Sequence, residues 1–186
     1  AFEQSRFSGG PARLKGYPMK ATLTAAIALV GAGLVPFASM AAPSPVDQAF
    51  AAKVSQGGMF EVEAGKLAEK FAQAQDVKDF AVMEVHDHTL VGDNLKANAD
   101  RIGLTFPAKL NSEFQGKLDR LKGLSGHAFD VAYMTEMADL HPKDGAAFAK
   151  EATASPDLGF RNFAGETHLI VLRHIGAIHA APPPAR

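Results

Sequence analysis

The chain has 186 residues and 47% hydrophobic side chains, enough for one domain with its own core, and it has no cysteine. That excludes disulfides, thiolate ligands or nucleophiles, and a lipid anchor attached at cysteine. Four basic residues (Arg6, Arg13, Lys15, Lys20) and one acid (Glu3) precede Ala42, so the remainder carries 15 Lys+Arg against 19 Asp+Glu, a balance near −4 that argues against nucleic acid as a partner.

Lys20 follows Met19, and Ala21 to Val35 then form an apolar run of about fifteen residues, the length of a signal-peptide core and short for a spanning helix. Gly31, Gly33 and Pro36 weaken it further as a membrane helix, which remains the competing reading. Ser39-Met40-Ala41 offers small residues where a signal peptidase reads, which predicts cleavage before Ala42, with Ala42/Pro43 as the alternative. Residues 1–18 are then an upstream extension, 19–41 a signal peptide and 42–180 the folded domain. No twin-Arg pair precedes the run, so general secretion is the simpler route. The expected product is periplasmic or secreted, with no membrane span in the mature chain.

Ser44-Pro45, with Asp47 in the first turn, predicts a helix start, and the helix should run to about Ala74. Val54, Gly57, Glu61, Ala64, Ala68 and Phe71 recur at spacings of three and four and form its inward face. Gly57-Gly58 suits close helix packing rather than phosphate binding, since no strand precedes it. Asp76 is the expected cap of a second helix, whose stripe is Val77, Phe80, Ala81, Glu84, His88, Val91, Leu95 and Ile102, ending at Gly103. The two helices make a tight hairpin, and Glu61 and His88 lie at nearly equal distances from its turn. Residues 103–126 read as a crossover containing a short helix from Glu113 to Lys122 capped by Ser112. A third long helix, about His127 to Ala152, presents Tyr133, Met134, Met137, His141 and Phe148, with Pro142 expected to kink it or locally open its hydrogen bonds. Ser155-Pro156-Asp157 opens a fourth, with the stripe Phe160, Phe163, Thr167, Ile170, Val171, His174 and Ile178. The tail 181–186, with three prolines, is expected to be flexible.

The segments Gly57-Gly58-Met59-Phe60-Glu61-Val62-Glu63, Phe80-Ala81, Asp87-His88-Thr89 and Phe129-Asp130-Val131-Ala132-Tyr133, with His141, Phe148 and His174, resemble a family of exported bacterial proteins known as domain of unknown function 4142. The resemblance spans roughly Val46 to Ala180. It implies an all-α, ferritin-like four-helix bundle with a long crossover between the second and third long helices, and no activity. Carried over by position, it places a recurrent acid on Glu61, an Asp-His pair on Asp87 and His88, and later histidines on His141 and His174. The chain departs from that pattern at Leu140, where an acid usually stands and Asp139 is one residue earlier, at Leu169, where a proline is usual, and at Glu84, where an apolar residue is usual.

Metal chemistry is the expectation these residues raise. Glu61, Glu84, His88 and His141, with either His174 or His168, offer nitrogen and carboxylate donors suited to a divalent metal such as zinc or iron. A di-iron centre needs a Glu-x-x-His motif on each of two helices, and Glu84 and His88 are four apart. Counted from a turn at Ser155, His141 and His174 differ in height by about 7 Å, and His168 matches His141 better. The competing expectation is that the histidines are hydrogen-bonded to carboxylates within an ordinary core. The corresponding functions are a metal-binding or stress-related envelope protein, a structural or interaction bundle partnered by another envelope protein, and a metal-dependent oxidase or catalase-like enzyme.

Overall fold

The computed structural model describes residues 43–180, so the expected extension, signal peptide and cleavage site, and the tail 181–186, lie outside the described residues. Five helices and no strand are present among those residues: α1 (Pro45–Phe71), α2 (Gln75–Ile102), α3 (Ser112–Lys122), α4 (Gly126–Ala154) and α5 (Leu158–Ala180).

The helix ends follow local chemistry, with three corrections to the sequence expectation. Ser44 caps α1 as expected, its hydroxyl accepting from the Asp47 amide at 3.0 Å. Helix α2 has Ala74 at its cap position and no side-chain cap. Asp76 instead accepts from the neighbouring Val77 amide, while the orphan amides of the α1–α2 turn, Gln73 and Ala74, are taken by the buried Asp130 carboxylate of α4 at 2.9 and 3.0 Å. Helix α3 is capped by Asn111 rather than Ser112. Helix α5 begins only at Leu158, because Asp157 accepts from the Phe160 amide and leaves Ser155 and Pro156 in the turn. Gly103, at φ 70°, closes α2 in the left-handed conformation that glycine adopts without steric cost.

Hairpins α1–α2 and α4–α5 are the most extensive pairings, and α1 also packs on α4 and α2 on α5. Two apolar clusters form the core. One holds Phe60, Ala64, Ala68, Phe80, Leu121, Phe129 and Tyr133; the other holds Phe50, Val54, Val91, Leu95, Phe148, Phe160 and Phe163. All four long helices run through both clusters. Helices α2 and α4 pass from the first to the second, and α1 and α5 from the second to the first. Phe71, expected inward, is 40% exposed, and Ile102 is only half-buried; each is the last residue of its helix. The segment between α2 and α3 is held by Gln56, whose amide donates to the Lys109 carbonyl at 3.0 Å and accepts from the Asn111 amide at 2.6 Å.

Adjacent glycines of α1 have opposite roles. A Cβ on Gly57 would lie 2.5 Å from Asp144 Oδ2, whereas one on Gly58 meets nothing within 4 Å. Gly57→Ala should therefore cost about 1–2 kcal/mol, overpacking outweighing the helix-propensity gain, and Gly58→Ala should stabilise by about 0.5–1 kcal/mol. Urea titration of the two variants checks this, and equal signs would contradict the packing.

Asp47 of α1 and Glu151 of α4 are both buried. Burial, and then the hydrogen bond to Asp47, pushes the Glu151 carboxyl up to about 7. A raised folded-state value means that this pair's stabilisation is fully present below the ordinary carboxyl value of 4.5 and is lost as pH rises through about 7. Glu151→Gln should flatten the decline in stability over that window. Identical slopes for variant and wild type in denaturant melts would show that the pair does not share a proton.

Candidate metal centre

Where the two apolar clusters meet, each long helix turns a polar side chain inward. Glu61 (α1), Glu84 and His88 (α2), His141 and Asp144 (α4) and His174 (α5) are all buried. The spacing argument for Glu61 and His88 holds: His88 Nδ1 lies 3.0 Å from Glu61 Oε2. Glu84, one turn from His88, is the hub. Its Oε1 is 3.1 Å from His141 Nε2 and 2.7 Å from His174 Nδ1, and its Oε2 is 3.3 Å from His88 Nε2.

The expected height mismatch is smaller than the count from Ser155 implies. Residues 155–157 are not helical, so they add no helical rise. His141 lies 13 residues before Ala154 and His174 lies 16 after Leu158, a difference of about 4.5 Å, which the side chains span. His141 Nε2 and His174 Nδ1 end 3.3 Å apart. His168 is half-buried, its Nδ1 has no hydrogen-bond partner, and it is not among the gathered donors. Asp139 is also outside, on the surface with Lys143. Pro142 does not end α4, which continues through it to Ala154.

Each imidazole has one nitrogen committed outward and the other aimed at Glu84. His88 Nδ1 faces Glu61, His141 Nδ1 donates to the Met137 carbonyl at 3.0 Å, and His174 Nε2 donates to Asp87 Oδ2 at 2.8 Å. Asp87 is in turn held by Arg173 and by His86. Outer partners of this kind fix the tautomer and orient the free nitrogen, as around metal-bound histidines. Phe80 packs beside both His141 and His174, with ring centroids 6.3 and 6.1 Å away, which limits their rotation.

The electrostatics are those of a dense charge cluster. Burial alone would raise the Glu84 carboxyl, but hydrogen bonds from His141 and His174, together with the charge of His88, outweigh it and hold it at about 2. Burial disfavours a charged His88, yet the Glu61 charge and hydrogen bond and the Glu84 charge raise it to about 9. His141 is raised too, against burial, by its hydrogen bond to Glu84 and by the Glu61 charge. Asp144 is pushed up to about 7 by burial and by Glu61.

Glu84, His88, His141 and His174 each offer one donor atom, all within 4.8 Å of one another. Two donors at the usual zinc bond lengths of about 2.0–2.1 Å in a tetrahedron are about 3.3 Å apart, which matches the His141–His174 separation. Glu84 Oε2, His88 Nε2 and Glu61 Oε1 are buried without a hydrogen-bond partner. This donor set therefore fits a divalent cation. Glu61 stands behind His88 as its outer partner rather than as one of the four.

Sequence reasoning missed Asp144, although it lies three residues from His141 on the same inward stripe. It also missed the Asp47–Glu151 pair and the buried, unpartnered Tyr133 hydroxyl.

Neither the curated proteins nor the solved structures provide a match to the chain. The family model described as a domain of unknown function, DUF4142, matches residues 33–180, and the chain belongs to that family.

Proposed function

We propose that the chain is an exported, ferritin-like four-helix bundle that holds one divalent metal ion, zinc or iron, on His88, His141, His174 and Glu84, as a metal-binding or stress-related protein of the envelope. The observation that carries this reading is the pair His141 Nε2 and His174 Nδ1. With their other nitrogens committed to Met137 and Asp87, the two remaining nitrogens lie 3.3 Å apart beside Glu84, and in the neutral state that a metal ligand needs both lone pairs converge where a cation would sit. The bundle topology is supported by the passage of α2 and α4 through the two apolar clusters in the same sense, which calls for a long crossover. Export is supported by the apolar run and small residues before Ala42.

Bound there, a metal would supply charge to a donor set that already fills a tetrahedron. That favours retention over turnover, because catalytic sites of this kind keep one position open. A metal-dependent oxidase or catalase-like enzyme would instead consume oxygen or peroxide. The reading without metal, a structural or interaction bundle, is supported by the partners that the protein itself gives most of the histidine nitrogens.

Elemental analysis of untagged protein from the envelope fraction tests the proposal. One metal per chain, and an intact mass beginning at Ala42 or Pro43, is the expected result. No metal on isolation and none retained after equilibration with zinc or ferrous ion would reject metal binding. A mature product that keeps Met19 would reject the cleaved export signal.

A further inference from the structure

A groove of about 720 Å³ runs between α1, α2 and the crossover segment 104–111, with His88 at its base. Its volume suits a small organic ligand. The walls are apolar, formed among others by Val54, Met59, Val62, Leu95, Phe106 and Leu110. The hydroxyls in the lining are turned away from it: Ser55 donates to the Ala52 carbonyl at 3.1 Å and Thr89 to the Val85 carbonyl at 2.6 Å. Gly58 and Gly92 leave the facing helix surfaces open, since an added Cβ on either meets nothing within 4 Å.

Charge is confined to a few lining side chains. Besides His88, which faces the Glu61 and Glu84 carboxylates, Lys66, Lys96 and Lys109 stand against Glu63. Lys66 is paired with Glu63 and Lys96 with Asp100, whereas the Lys109 ammonium has no ion-pair partner among the described residues. An apolar trough whose hydroxyls are internally satisfied, carrying surplus positive charge, selects an apolar body with one anionic end.

We propose that this groove binds a single-chain monoanionic amphiphile of the fatty-acid class, its chain lying between α1 and α2 and its carboxylate at Lys109. The site does not depend on the metal reading, so the two stand or fall separately.

Calorimetric titration of the metal-free protein with decanoate tests it, with decyltrimethylammonium as the cationic counterpart. Saturable one-to-one binding of decanoate is expected, with the cation weaker by roughly tenfold or more. Gly58→Leu and Gly92→Leu fill the groove from opposite walls and should each weaken decanoate binding by roughly tenfold or more, while Lys109→Glu removes the anion preference. The open space around both glycines lets these variants fold, which thermal melts verify, and Phe106→Glu on the crossover is a third variant outside the helices. Absence of saturable decanoate binding, or binding undiminished in the groove-filling variants, overturns the site. Equal binding of the cation overturns the anionic ligand class.

Discussion

Zinc at about a hundredfold excess over its dissociation constant should raise the melting temperature of the metal-free protein by roughly 8–10 °C. A ligand at that excess stabilises the folded state by about 2.7 kcal/mol, and 1 kcal/mol moves the midpoint of a domain of this size by roughly 3–4 °C. His88→Ala, His141→Ala and His174→Ala should each abolish the shift, because each removes one of the four gathered donors. His168→Ala should leave it intact. Thermal melts with zinc and with chelator separate these cases. A wild type whose midpoint does not respond to zinc or ferrous ion would end the metal reading, and loss of the shift in His168→Ala would mean that the wrong histidine has been assigned.

Glu84→Ala should destabilise the metal-free protein by about 3–5 kcal/mol, the cost of breaking a buried charged group away from its partners. Three imidazoles lose their common ionic partner at once: His141 and His174 beside Oε1 and His88 beside Oε2. The pH dependence follows from the depressed carboxyl. Held at about 2 against an ordinary 4.5, Glu84 contributes stability that is present above about pH 4.5 and is lost as pH falls toward 2. The variant should lose less stability than wild type over that acid range. A change below about 1 kcal/mol in chelator-treated denaturant melts would show that Glu84 is not the hub.

Much of this was legible in the sequence because helical periodicity and buried side chains report on the same surface. The stripe of α2 named Glu84 and His88 beside Val77, Phe80 and Val91, and all five are buried. The height argument worked for Glu61 and His88, whose helices are joined by a short turn, and misled for His141 and His174. There Asp157 rather than Ser155 sets the helix start, and two residues of apparent offset disappear. Asp144 sits three residues after His141 and four before Phe148, so the periodicity that named Glu84 marked this position too. The buried partnership of Asp130 with the α1–α2 turn had no local signal, since its acceptors and donors are more than fifty residues apart.

The donors are divided between the two helix hairpins: Glu84 and His88 stand on α1–α2, while His141 and His174 stand on α4–α5. Each hairpin closes on contacts near in sequence, whereas the donor set exists only once the hairpins meet. Local closure is fast and long-range docking comes later along the folding route. Loss of a cluster residue should therefore leave the refolding rate nearly unchanged and accelerate unfolding, with φ near zero at Glu84. The polar layer in this picture acts as a late latch, setting how long the folded chain persists more than how quickly it forms.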